Sequence, residues 1–433
     1  MSFAPGISGL NAAGTNLQVI GNNIANSGTV GYKSASVQFS NVYAGSSIGL
    51  GTKVAGVSQD FSPGAVQTST RALDVAIING EGLFRLSNPA GEIAYSRNGQ
   101  FDVDKSGYVV NPSGMRLTGY EVGANGAIAG GSPVALKLPL APMTPAATQN
   151  IEAQFNIDGR GTVPVATPFN AKDSTTYNYS NSVTIFDSLG NSHELSTFFV
   201  KTGINTWATY ATADGWPLDA NGAKVAAALP ATTPATPGSG GAALTSGTLG
   251  FSTAGTLNDA AGTPASTLVG GKINLTGLDF GNGSAAITLA VKVTGTTQFG
   301  SVNDVRKMIP DGYTTGQLTT LTVNGDGTIT GKYSNQQTKT LGQIVLSSFV
   351  NPNGLESKGD NVWVETANSG PPLTGTPGSG TKLGSLVGGA TEASNVNLTA
   401  ELVNLIIAQR TYQANAQTVK TQDQVVQTLM NMR

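Results

Sequence analysis

Few residues in this sequence could do chemistry, and their spacing is informative. Asp102, Asp104 and Ser106 fall at alternate positions before Gly107, as the first oxygen donors of a calcium loop would. Counted from Asp102, the twelfth position is Ser113 rather than the bidentate glutamate such a loop needs, so the run is expected to be a turn between strands. His193 follows the turn Ser188-Leu189-Gly190, and Asp187 could be imagined as its partner in a Ser-His-Asp arrangement. A lone histidine beside a turn is more simply a hydrogen-bonded or solvated side chain. Trp207, Trp216 and Trp363 could form a sugar platform, or could anchor separate cores. Gly238-Ser239-Gly240-Gly241 has no phosphate-binding spacing, strand before it or helix after it.

Composition narrows the options further. Among 433 residues there is no cysteine and one histidine, which removes disulfides, thiolate nucleophiles, cysteine-based metal sites and paired-histidine sites. Enzymatic chemistry is left with carboxylates, Lys, Tyr and Ser; since the candidates above read as turns, solvated side chains or core anchors, the expectation is no catalytic residue, no metal and no cofactor. Only 11% of positions are charged, against about 25% in an ordinary domain. A net charge of −2 offers no basic field for nucleic acid or an anionic membrane surface. No apolar run is long enough to insert into a membrane. With 57 glycines and 20 prolines, the chain should fold with many turns. The first residues show neither a positive segment nor a continuous apolar one, so a cleaved signal peptide is not expected.

The elements implied are helical at both ends and strand-rich between, a mainly β fold with α-helical termini. Leu10, Leu17 and Ile24 recur every seventh residue with Ala13 and Ile20 between them, as in a helix-packing seam. Lys33 is the first charged side chain. Gly9, Gly14 and Gly21 each cost roughly 1 kcal/mol relative to Ala inside a helix, so this helix should need a partner. Near the other end, Leu398, Leu405, Tyr412, Val419 and Val426 hold one seven-residue register. Leu402, Gln409, Ala416 and Met430 hold the second, which Asp423 interrupts. A helix of about 35 residues would be roughly 50 Å long, capped by Asn397 or Thr399 with Glu401 in its first turn. Two such helices can form a hairpin on one globular body or, paired and coiled-coil-like, pack against other copies. The lack of charge around the first favours the second arrangement.

Strand and turn signals come every eight to twelve residues in between. The layout predicted is nested: an N-terminal helix at 1–32, an extended connector at 33–72 and a strand-rich half at 73–144. An outer β-rich insert at 145–300, of one or two domains, follows. The second strand-rich half is expected at 301–368, a linker at 369–390 and the C-terminal helix at 391–433. The linker is inferred from Pro371, Pro372 and Pro377, and residues 230–243 are expected to be a surface loop within the insert.

Three blocks carry a family resemblance. Asn22-Asn23-Ile24-Ala25-Asn26-Ser27-Gly28-Thr29-Val30-Gly31-Tyr32-Lys33 resembles the amino-terminal motif of flagellar rod and hook proteins. Glu392-Ala393-Ser394-Asn395-Val396-Asn397-Leu398, continuing through Gln409-Arg410-Thr411-Tyr412 to Thr421-Gln422-Asp423, resembles their carboxy-terminal motif. Asn79-Gly80-Glu81-Gly82-Leu83-Phe84 and Tyr95-Ser96-Arg97-Asn98-Gly99-Gln100-Phe101 are similar to the family's strand-rich domain. The long insert and Asp311-Gly312-Tyr313-Thr314-Thr315-Gly316 resemble the hook members more than the shorter rod members.

That resemblance implies a subunit exported through the flagellar type III apparatus, without cleavage of a signal, to the cell exterior. There it would polymerise with itself into a curved tube that joins rod to filament as a universal joint. The partners implied are the hook cap, the distal rod, the hook–filament junction proteins and the export apparatus. The terminal helices would form the inner wall, and Asn, Gln, Ser and Thr in place of charge would let unfolded cargo slide. A straight distal rod protein and, in another class, a secreted glycan-binding module remain as alternatives.

Overall fold

The computed structural model describes residues 3–42, 51–123, 126–218, 247–258, 264–266, 268, 270–378 and 382–431. The expected loop at 230–243, with its glycine run, lies outside the described residues. Helices stand at the two ends and strands fill the middle: α1 is Ala4–Ala25 and α2 is Leu398–Asn431. Asn397 caps α2, its Oδ1 accepting from the Ala400 N–H at 3.1 Å, and Glu401 occupies the first turn. No such charge assists α1, which has neither an acid in its first turn nor a base in its last.

The chain divides into two compact units. The first comprises residues 1–140, 318–332 and 338–433. Among the described residues its largest sheet has 13 strands, eight of them on a main path from Leu318–Val323 through Thr328–Tyr333, Thr338–Ile344 and Arg116–Tyr120 to Leu83–Ser87, Ile93–Ser96, Val362–Val364 and Glu356–Gly359. Alternating apolar positions send Phe84, Leu86, Leu117, Ile329 and Ile344 into one core, where Phe84 and Phe101 meet edge to face at 5.2 Å.

The second unit comprises residues 141–317 and 333–337, and it is built on a four-stranded and a five-stranded sheet. In the four-stranded sheet Asn150–Asn156 lies between Ile287–Lys292, to which it is parallel, and Asp304–Pro310, to which it is antiparallel. Ile151, Phe155 and Leu289 from this sheet share one core with Ile185, Leu195, Phe199 and Trp207 from the other. Among its described residues the insert is thus one unit with one core.

Three boundaries differ from the sequence expectation. Residues 301–317 belong with the insert, because Asp304–Pro310 completes its sheet. The stretch 33–72 is not a bare connector: Ala35–Asn41 and Thr52–Gln59 form an antiparallel hairpin alongside α1. The stretch 369–390 is not a free linker. Leu373–Gly375 pairs with Leu346–Ser348, Ser385–Gly388 with Val75–Ile78, and Ala390–Glu392 with Val66–Thr68. Its prolines suit the ends of short strands, while Leu383 and Leu386 are buried in the core of the first unit.

Candidate assembly interface

The two helices run antiparallel, with Gly6 against Val419, Gly9 against Asn415, and Asn23 hydrogen-bonded to Glu401. A Cβ at Gly6 would stand 2.7 Å from Val419 Cγ2, and one at Gly9 2.8 Å from Asn415 Oδ1. Glycine at these two places lets the axes approach more closely than any other residue would. On α1 the buried positions are Gly6, Ala12, Ala13, Ile20 and Asn23.

Of the expected seam, Ala13 and Ile20 are therefore buried, while Leu10, Leu17 and Ile24 are only partly so. On α2, Leu405, Val419 and Val426 are partly buried, but Leu398 and Tyr412 of the same register are exposed. The second row turned from solvent is Glu401, Ala408, Asn415 and Gln422, of which Glu401 and Asn415 touch α1, and not the expected Leu402, Gln409, Ala416 and Met430. Leu402, Gln409 and Met430 are exposed, as is Asp423, which leaves no charge facing α1 at that position; Ala416 is partly buried. The shift has a physical cause: small and amide side chains permit close approach, and Asn23 needs the polar partner that Glu401 supplies.

The outward face of α2 is consequently apolar where solvent would favour polar groups. Leu402, Val403, Ile406 and Ile407 form a contiguous i, i+1, i+4, i+5 patch, with Val403, Ile406 and Ile407 each more than half exposed. Leu398 adds to its N-terminal end and Tyr412 lies beyond its C-terminal end. Arg410 is exposed beside it.

At the base of the helix pair the terminal motifs meet around one carboxylate. Glu392 Oε1 accepts from Lys33 Nζ at 2.7 Å and from the Gly64 N–H at 2.9 Å, while Oε2 accepts from Arg97 Nε at 2.6 Å. All three charged side chains are at most 3% exposed. Lys33 also donates to Ser62 O, and Arg97 to Gly82 O and Ile77 O. Burial opposes the charge on Glu392, but Arg97, the Gly64 amide and Lys33 outweigh it and hold its carboxyl below the usual range. For Lys33 burial is the stronger influence and, helped by the nearby Arg97 charge, lowers its ammonium pKa despite Glu392 and Asp60.

Asparagines complete the junction. Asn23 Oδ1 accepts from Tyr32 Oη at 3.1 Å and the Ala35 N–H at 2.9 Å, and its Nδ2 donates to Ala35 O at 2.8 Å. Asn395 Oδ1 accepts from the Ser34 N–H, and its Nδ2 donates to Asp60 O. Asn22 and Asn26 brace the last turn of α1: Asn26 Nδ2 donates to Asn22 Oδ1 at 2.9 Å, and Asn26 Oδ1 accepts from Thr29. Gly31 holds φ +71 and donates to Glu392 O, and a Cβ there would fall 2.6 Å from Asn98 N. Ser394 accepts from the Val396 N–H at 3.2 Å. Ala25 is exposed, and Val396 is partly buried.

Glu392 and Arg97 were absent from the expected site residues. Their signal was their charge, carried inside motif blocks where charge is scarce.

The remaining candidates serve local structure. Asp104 Oδ1 accepts from the Ser106 and Tyr108 N–H groups at 2.8 Å, a side-chain-braced turn between two short strands. Trp207 and Trp363 are buried, each in its own unit, and donate to Gln298 and Gln59, whereas Trp216 is 45% exposed. His193 lies between Asp187 and Asp214. Among the described residues no cluster of three His, Asp or Glu is arranged to hold a metal ion, and no helix is long and apolar enough to cross a membrane.

Four family models match in chain order: "Flagella basal body rod protein" at residues 5–33, "Flagellar hook protein FlgE/F/G D1 domain" at 77–165, "Flagellar basal body protein FlaE D2 domain" at 150–313 and "Flagellar basal body rod FlgEFG protein C-terminal" at 387–432. The sequence is 44% identical over 436 residues to flagellar hook protein FlgE of Escherichia coli (strain K12), covering 100% of both chains. It is 30% identical to flagellar hook protein FlgE of Borreliella burgdorferi, covering 100% of this chain and 99% of that one. The crystal structure of Helicobacter pylori flagellar hook protein FlgE2 aligns with a TM-score of 0.48 at 12% identity, over 76% of this chain and 99% of that one.

Proposed function

The chain belongs to the flagellar hook protein family and is a structural subunit of the flagellar hook; from that premise we propose that its paired terminal helices are the surfaces through which copies build the wall of the tube. The observation that carries this reading is the apolar patch of Leu402, Val403, Ile406 and Ile407 on the side of α2 turned away from α1. Left in water, such a patch is costly and prone to association; against neighbouring copies it becomes core. The two expected rows then divide their work. Leu405, Ala408, Asn415 and Val419 pair α2 with α1, and Leu398, Leu402, Gln409, Tyr412 and Met430 are left for other copies.

An inner wall made of α1, with no charged residue before Lys33, supports the expectation of a channel on which unfolded cargo of either sign does not stick. Curvature of the tube, its action as a joint between rod and filament, its position outside the cell, and contacts with the hook cap, the distal rod, the junction proteins and the type III export apparatus belong to the same proposal.

Deleting residues 1–30, or residues 400–433, leaves Lys33, Arg97 and Glu392 in place. Each deletion is expected to abolish tubes in electron micrographs while the strand-rich units keep their cooperative unfolding. Tubes formed as readily by either truncated chain would overturn the role given to the helices.

A further inference from the structure

The one histidine of the chain sits where both its ring nitrogens face carboxylates. His193 Nδ1 lies 2.7 Å from Asp214 Oδ2, and Nε2 lies 3.3 Å from Asp187 Oδ2. The ring is 11% exposed and stacks on Phe280 with centroids 3.5 Å apart. Each neighbour comes from a different turn of the second unit. Asp187 opens the turn before Ser192–Gly203, Asp214 follows Thr206–Ala213 with φ +49, and Phe280 lies in the turn after Lys272–Leu278.

Asp187 is wholly buried and its oxygens are crowded with donors. Oδ1 accepts from the Leu189 and Asn191 N–H groups, and Oδ2 from the Asn191 and Asn282 side-chain amides besides His193. Burial alone would raise its carboxyl, yet these hydrogen bonds hold it well below the ordinary range, so it stays an anion. Asp214 Oδ1 is also engaged, accepting from the Glu194 N–H at 2.9 Å. The facing groups are therefore two acids, two amides and an aromatic ring.

A neutral imidazole has one N–H and one lone pair, whereas the imidazolium has two N–H groups. With carboxylate oxygens on both sides, the neutral ring can satisfy only one and must turn its lone pair toward the other. We infer that His193 is a pH-released pin: as imidazolium it donates to Asp187 and Asp214 together and ties these turns of the second unit to one another, and on losing a proton it lets one go. At Asp187, wholly buried, no water could take the place of the ring N–H, whereas Asp214 is 37% exposed and open to water, so the arm released is the one to Asp214. Phe280 stacking and the Ala285 N–H to Ser188 bond, 2.9 Å, hold the 280–285 turn in both states.

The test uses the full chain, in which the single histidine gives one ring signal by NMR. Peptide-resolved hydrogen exchange at pH 6 and pH 8, corrected for the intrinsic rate, is expected to show exchange around Glu194 and Asp214 roughly fivefold faster at pH 8, as loss of a charge-assisted bond at a partly exposed site implies. His193→Gln should abolish that difference. Asp214→Asn, a milder change at an exposed site, should abolish it as well while the ring still titrates. Equal corrected exchange at the two pH values in the unaltered chain would overturn the inference, as would a difference that survives in either variant.

Discussion

Lys33 Nζ and Glu392 Oε1 lie 2.7 Å apart although 359 residues separate them, and both side chains are sealed from solvent. The ion pair fastens the end of the amino-terminal motif to the start of the carboxy-terminal one, and Arg97 ties both to the strand-rich core. A buried ion pair is poor evidence of net stabilisation, because desolvation offsets most of the attraction. Its significance lies in position: breaking it strands charge where both helices enter the body.

The three charges are therefore not equivalent. Glu392→Gln leaves Lys33 and Arg97 without their shared acid and is expected to cost about 3–5 kcal/mol. Lys33→Met leaves Glu392 with Arg97 and the Gly64 amide, and should cost less. Urea unfolding of both variants checks the order; an equal or larger loss for Lys33→Met would contradict it.

Acid should loosen the same junction. The Glu392 carboxyl is held below its unfolded value, so the unfolded chain binds the extra proton more readily. Its contribution is present above the unfolded carboxylate value of about 4.3 and is lost as pH falls through the folded value. Melting temperatures followed from pH 6 down to pH 3 are expected to fall more steeply in the unaltered chain than in Glu392→Gln.

Helix approach is set by glycine on one face of α1 only. Gly9→Val places side-chain atoms on Asn415 and should separate the helices, lowering helical circular dichroism. Gly14 has nothing within 4 Å, so Gly14→Ala should stabilise α1 by roughly 1 kcal/mol in the free chain. If both changes moved stability in the same direction, the register assigned to the pair would be wrong.

Much of this was legible in the sequence because the helices are long and regular and the hairpins have clear turns. The run from Asp102 to Gly107 is a turn between two short strands, as its failed calcium-loop spacing implied. The register of α2 was not legible: its apolar residues mark two faces, one toward α1 and one outward, and periodicity cannot say which is which. Leu402 is a better seam residue than Glu401 by type, yet Glu401 faces α1 because Asn23 waits there. Residues 369–390 were misread because proline and glycine signal a linker, while the leucines that insert into the core are only two, Leu383 and Leu386. Lys33 and Glu392 could not be paired at all from one sequence, since nothing local links them.

In the tube the outward patch of α2 is expected to be covered by other copies of the chain. Replacing Val403, Ile406 and Ile407 together with Gln changes side chains that are each more than half exposed, so the monomer should unfold at nearly the same urea concentration as the unaltered chain. Electron microscopy of the triple variant under polymerising conditions is the direct measurement. Folded subunits and no tubes are expected; tubes as long and as numerous as those of the unaltered chain would overturn the role given to this patch.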